Sequence, residues 1–245
     1  MPSINRRAML TSTAAAAATV VVSQTRLREL DAAAPGCVLT GALEEGPFFV
    51  DEHLERSDLR SDPVTGVISA GVPLRLRFVV SRVGHQSSCM PLTGAFLDVW
   101  NCDALGTYSD VSAVGGPPSG AHHPSTGHKF LRGYQVTDPH GVAEFTTVYP
   151  GWYPGRTPHV HFKIRLFAGS AKRYEFTSQL FFDEMLTDHV HALQPYAAKG
   201  TRPVVNAKDR VYTNLPSAER AALTLSAWPQ DDGYMGLLDV GVRIG

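Results

Sequence analysis

The chain has 245 residues, 43% of them hydrophobic, and a formal net charge of -1. That length and apolar share are enough to bury a core. The near-neutral balance gives no electrostatic case for nucleic acid or an anionic membrane surface as partner.

The chain opens with the arginine pair Arg6–Arg7 and an uncharged, Ala-rich apolar run to about Ser23. That layout reads as a bacterial export signal, too short and Ala-rich for a stable membrane span, and the paired arginines resemble the twin-arginine type. Residues 1–35 are therefore expected to be signal and polar linker, 36–245 a single folded domain, and the protein exported to the periplasm or medium. Export would allow one disulfide and one free thiol among Cys37, Cys89 and Cys102, with the pairing open.

Beyond the linker, TGALEEGPFFVD reads as a loop turning at Gly46–Pro47. Strands are predicted over 72–81, where Arg75 and Arg77 alternate with Leu74, Leu76 and Phe78, and over 93–102. A third, over 141–150, is opened by the turn DPHG; two more cover 159–167 and 174–182, joined by AGSAKR as a hairpin loop. The tail adds VYTNL and GLLDVGVRI as strands. Regular short strands with little helical periodicity predict an all-β, single-domain sandwich of mostly antiparallel strands with long loops at its site. The segment 110–129, rich in Gly, Pro and His, breaks the rhythm and reads as a functional or disordered loop, in which His122, His123 and His128 read as solvent-exposed.

The triplet HVH occurs twice, at 159–161 and 189–191. In a strand, residues i and i+2 share a face; in a helix they diverge by about 200°. Around His159 the alternation is clean: His159, His161, Lys163 and Arg165 on one face, Val160, Phe162, Ile164 and Leu166 on the other. Both imidazoles can therefore reach one ion. Around His189 the residues favour a short helix or turn ended by Pro195, so that pair should face apart. Tyr149, Tyr153 and Arg156 stand just upstream of the first pair. Histidines and phenols with few carboxylates suit ferric iron better than zinc or magnesium.

Two longer patterns bear on this site. DVWNCDALGTY supplies Tyr108, and GWYPGRTPHVH supplies Tyr153, Arg156, His159 and His161. With the EGPF loop (Glu45–Phe48) and the TSQLFF strand carrying Gln179, the chain resembles the intradiol ring-cleavage dioxygenases from about 37 to 182. It looks like a short, exported branch of that family, without the helical dimerisation region of the catechol dioxygenases. It also departs at Asn101, where relatives often carry His, and at Gly41–Ala42, where they tend to carry Pro-Glu.

The resemblance implies a mononuclear non-haem Fe(III) held by Tyr108, Tyr153, His159 and His161. It further implies Tyr153 as acceptor of a substrate proton, Arg156 as stabiliser of developing negative charge, and Gly46, Pro47, Phe48 and Gln179 as the substrate lining. Substrate and co-substrate would be a catechol-type diol and O2, opened between the hydroxyl carbons to a cis,cis-muconate-type diacid. A homo-oligomer is compatible with it. Two alternatives stay open on the residues alone. One is a two-His, one-carboxylate Fe(II) oxygenase using Asp98, Asp103 or Asp110; the other is an exported sandwich that binds without catalysing.

Overall fold

The computed structural model describes residues 38–84, 88–111 and 125–244. The signal expected over 1–35, Cys37, His122 and His123 lie outside the described residues. Gly36–Gly245 forms one compact unit.

Among the described residues, nine strands build two sheets: β1 (Pro73–Val83), β2 (Cys89–Pro91), β3 (Phe96–Trp100), β4 (Arg132–Val136), β5 (Val142–Val148), β6 (His159–Ala168), β7 (Ala171–Phe181), β8 (Ser226–Gln230) and β9 (Gly233–Val242). One sheet runs β2–β1–β9–β8, with β5 also paired to β1; the other runs β4–β3–β6–β7. Every pairing is antiparallel except β1 with β9. This is the expected all-β sandwich.

The core lies between the sheets. Leu74, Leu76, Phe78 and Val80 of β1 meet Leu97 and Val99 of β3 and Val160, Phe162 and Ile164 of β6 in one buried apolar cluster. The arginines alternating with them on β1 point the other way and find surface partners, Arg75 with Asp231 and Arg77 with Glu144. On β6 both faces are buried, which alternation alone does not reveal. Opposite the core, His159, His161, Lys163 and Arg165 lie beneath loops, where Lys163 pairs with Glu45 and Arg165 with Asp51 and Asp98. Buried cations persist only when paired in this way.

The predicted strands hold with small shifts of boundary, and the AGSAKR connector shortens to a two-residue turn, since Ala168 already faces Ala171. The tail differs. VYTNL, predicted as a strand, falls in a single helical turn, α2 (Arg210–Thr213), because the Asp209 carboxylate accepts the Val211 and Tyr212 amides. That cap outweighs the β-branched propensity over four residues. Two more helices, α1 (Glu184–His191) and α3 (Ser217–Leu223), pack beside the sheets. Strand β4 escapes a pattern search because Gly133 interrupts it. A Cβ there would meet Leu59 at 2.8 Å and Arg56 at 2.9 Å, so the 54–61 segment can cross only over a glycine. Among the described residues, no helix is long and apolar enough to cross a membrane.

Candidate active site

The outer face of the β4–β3–β6–β7 sheet carries a second cluster, separate from the core: Phe48, Trp100, Cys102, Tyr108 and Tyr153, all buried. The two histidines of β6 open onto it. His159 Nε2 lies 3.1 Å from His161 Nε2, and Tyr153 Oη lies 3.1 Å from His159 Nε2. The Tyr108 ring sits 5.8 Å from that of Tyr153 and 6.2 Å from that of His161. The two histidines converge as strand spacing predicts, and Tyr153 and Tyr108 lie beside them.

Their immediate surroundings fix their roles. His159 Nδ1 donates to the Thr157 carbonyl at 2.6 Å, so its Nε2 presents a lone pair. His161 is held flat by Trp100, stacked at 4.8 Å with 7° between the planes. Gly46 (φ +71°) lets the Glu45–Phe48 loop pass directly over this imidazole: a Cβ there would lie 3.6 Å from His161 Cε1. Phe48 then stacks on Tyr108 at 4.4 Å. The loop's anchor is the Glu45–Lys163 ion pair, assisted by Lys163 Nζ 3.8 Å from the Phe49 ring centroid.

Electrostatically, the pocket is set for neutral donors. Burial pushes the Tyr108 phenol far above its ordinary range, with Tyr153 and Cys102 adding to the effect. Tyr153 is pushed up by burial too, against the pull of Arg156. Burial and then Arg156 lower His159 to about 3; burial, His159, Arg156 and Arg132 hold His161 well below the ordinary imidazole range. Tyr108 Oη and His161 Nδ1 are buried without a hydrogen-bond partner. Neutral imidazoles beside two buried phenols, one of them without a partner, form a donor set that suits a cation.

Arg156 reaches over the set. Its Nη1 is 3.5 Å from His159 Nε2, Nη2 donates to Gln179 Oε1 at 2.6 Å, and Nε donates to Asp209 Oδ2 at 2.8 Å. Gln179 is fully buried and engaged at both ends, its Nε2 donating to the Glu44 carbonyl at 2.8 Å. It therefore ties Arg156 to the loop over His161. Asp209 is the residue that pattern reading misses. Fully buried, it receives Arg156 and the Thr157 amide on one oxygen and caps α2 with the other. Burial alone would raise its pKa, yet Arg156 and these amides hold it below the usual carboxylate range. An Asp directly before a helical turn is the signal that could have found it.

The other candidates lie elsewhere. Tyr149 points away, its hydroxyl 2.8 Å from Thr187 Oγ1. Asn101 is buried and spent on the Cys102 and Val148 carbonyls and Thr147. His128 is engaged by Asp62 at 2.5 Å. The second triplet lies on α1 as expected: His189 is exposed, while His191 bonds the Pro150 carbonyl at 3.1 Å and stacks on Tyr196. Cys89 is disulfide-bonded and Cys102 is a buried free thiol, in keeping with one bridge and one thiol. A surface groove of about 500 Å³ lined by Asp183, Arg202 and Tyr212 among others shares no residue with this cluster. Among the described residues, no three His, Cys, Asp or Glu side chains gather as a metal cluster. Asp98 is taken by Arg165, Asp103 by the Leu105 and Thr107 amides, and Asp110 by the Gly127 amide.

Comparison with solved structures shows which proteins share this sandwich. The chain superposes on the intradiol ring-cleavage dioxygenase of Tetranychus urticae with a TM-score of 0.69 and 29% identity, over 84% of this chain and 95% of that one. It matches a dioxygenase domain from Streptomyces sp. SirexAA-E with a TM-score of 0.55 and 24% identity, over 85% and 100%. The 3-chlorocatechol 1,2-dioxygenase of Rhodococcus opacus shares the fold at a TM-score of 0.55 and 18% identity, over 91% and 78%. No family model matches, and no curated protein matches in sequence. The chain is thus similar in fold and in sequence to the intradiol ring-cleavage dioxygenases, and is an oxygen-incorporating oxidoreductase.

Proposed function

We propose that this enzyme cleaves a catechol-type diol between its hydroxyl carbons with O2, giving a muconate-type diacid, and that Tyr108, Tyr153, His159 and His161 hold a ferric ion for it. The observation that carries this reading is the convergence of two imidazole nitrogens and two buried phenols around one point, with Tyr108 Oη left without a partner. That donor set fits a hard trivalent cation: two phenolates offset most of its charge, where zinc or magnesium sites draw on thiolates or carboxylates. Bound there, ferric iron would supply Lewis acidity to a chelating diol.

The chain's own residues do the rest. Tyr153 Oη is the group placed to accept a proton from a substrate hydroxyl. Arg156, pinned by Asp209 and Gln179, holds a fixed positive charge beside His159, where negative charge develops on the substrate. Gly46, Pro47 and Phe48 would line the substrate; Gly46 and Pro47 face solvent while Phe48 is buried against Tyr108. An exported protein of this kind would meet its diol outside the cytoplasm. The test is an oxygen-electrode panel of substituted catechols with iron-loaded protein, the ring-opening position read by mass spectrometry. Opening between the hydroxyl carbons supports the reading. Opening outside them, or no oxygen uptake with any diol, sinks it.

A further inference from the structure

One cation near the site has no role so far. Arg132, at the start of β4, is 2% exposed. All of its hydrogen bonds go to neutral acceptors: Nε to Ser109 Oγ at 2.9 Å, Nη2 to the Ser109 carbonyl at 2.6 Å, and Nη1 to the Phe48 carbonyl at 2.5 Å. Among the described residues no carboxylate forms a salt bridge with it, although Tyr108, Glu52 and Asp110 act on it electrostatically, whereas buried Lys163, Arg165 and Arg202 each have a direct carboxylate partner. A guanidinium buried without a direct counter-charge is costly to keep.

The surroundings say what compensates it. The guanidinium carbon lies 5.9 Å from the Tyr108 ring centroid. Ser109 follows Tyr108 in the chain, and Phe48 is the residue stacked on the Tyr108 ring. Arg132 therefore grips the backbone on both sides of one aromatic pair, joining the loop that carries Tyr108 to the loop that covers it. Neutral tyrosine explains the contact only weakly, as a cation–π pair; an anionic ligand explains both the buried charge and its position.

We propose that Arg132 is a positioning residue: the buried counter-charge of Tyr108 in its iron-bound, anionic form, held in place by the Ser109 and Phe48 carbonyls. This rests on the ferric reading above. Its removal should leave the phenolate less stabilised, so that iron is held less firmly and the tyrosinate-to-iron absorption moves to longer wavelength.

The test compares Arg132→Gln and Arg132→Lys with the parent enzyme, all loaded with Fe(III). Two readouts serve: the visible absorption maximum, and the rate of iron loss to a competing chelator. Arg132→Gln is expected to lose iron at least about tenfold faster and to absorb at longer wavelength. Arg132→Lys, which keeps the charge, should hold the parent's maximum. Folding is followed by circular dichroism, and if the Gln variant does not fold, the Lys variant decides alone. A folded Arg132→Lys that shifts its maximum and sheds iron rapidly, or a folded Arg132→Gln indistinguishable from the parent, overturns the proposal. A parent enzyme that takes up no iron and shows no tyrosinate band overturns the ferric reading itself, and with it this inference.

Discussion

The same three residues, His-Val-His, meet two fates in this molecule. In both copies the valine is fully buried in the sandwich core: Val160 from β6 and Val190 from α1. What differs is where the flanking imidazoles go. On β6 they share the face opposite the valine and come within 3.1 Å of one another. On α1 they diverge, His191 toward Pro150 and Tyr196 and His189 toward solvent. A metal clamp is thus a property of backbone period rather than of the tripeptide. The strand copy also gains a covering that the helix copy lacks: Trp100 behind, the Gly46 loop above, and Thr157 fixing the tautomer.

The contrast is tested most severely by removing one histidine from each copy. His161→Ala should abolish bound iron, measured by elemental analysis, and with it turnover; His189→Ala should change neither. Asp209→Ala should then separate binding from catalysis within the strand copy. Iron content should stay at the parent's level while kcat/KM falls about 10- to 100-fold, because Arg156 loses the carboxylate that aims it.

Both triplets should make stability depend on pH, since burial lowers His191 on α1 as well, and the strand copy should do so most. His159, lowered to about 3 by burial and Arg156, stays neutral in the folded metal-free chain, while the unfolded chain takes up a proton near 6.5. Over that window the unfolded state binds more protons, so stability is full above about 6.5 and is lost as pH falls toward 3. His161 acts in the same direction, being depressed for similar reasons. Urea unfolding of metal-free protein between pH 7 and 4 should therefore show a steep loss that flattens in a variant with both histidines replaced by Gln. The two valines, by contrast, should behave alike: Val160→Ala and Val190→Ala should each cost about 1–3 kcal/mol in the same assay. Smallest is His191→Ala, expected to cost about 1 kcal/mol through the lost bond to the Pro150 carbonyl, with iron content intact.

Much of this site could be read in the chain because strand alternation and short spacings are local facts. Tyr153, Arg156, His159 and His161 lie within nine residues, and a strand's period of two places the histidines together. Tyr108 came only through resemblance to a family pattern; nothing local says that a tyrosine some fifty residues upstream returns to β6. The residues that the sequence concealed act through tertiary partners. Asp209 sits in a run whose β-branched residues suggested a strand, and its cap decides otherwise. Arg132 follows an unremarkable FL pair, and its meaning lies in what surrounds it in space. Burial of both faces of β6 is equally hidden, since alternation says only that Lys163 and Arg165 share the histidines' face and not that Glu45, Asp51 and Asp98 are brought to them.

The central claim is that two tyrosines and the strand pair of histidines hold one ferric ion, and the visible spectrum of iron-loaded protein tests it most directly. The account predicts a tyrosinate-to-iron band that weakens in Tyr108→Phe and in Tyr153→Phe and persists in His189→Ala. A colourless iron-loaded enzyme, or a band unchanged by both tyrosine replacements, would contradict it.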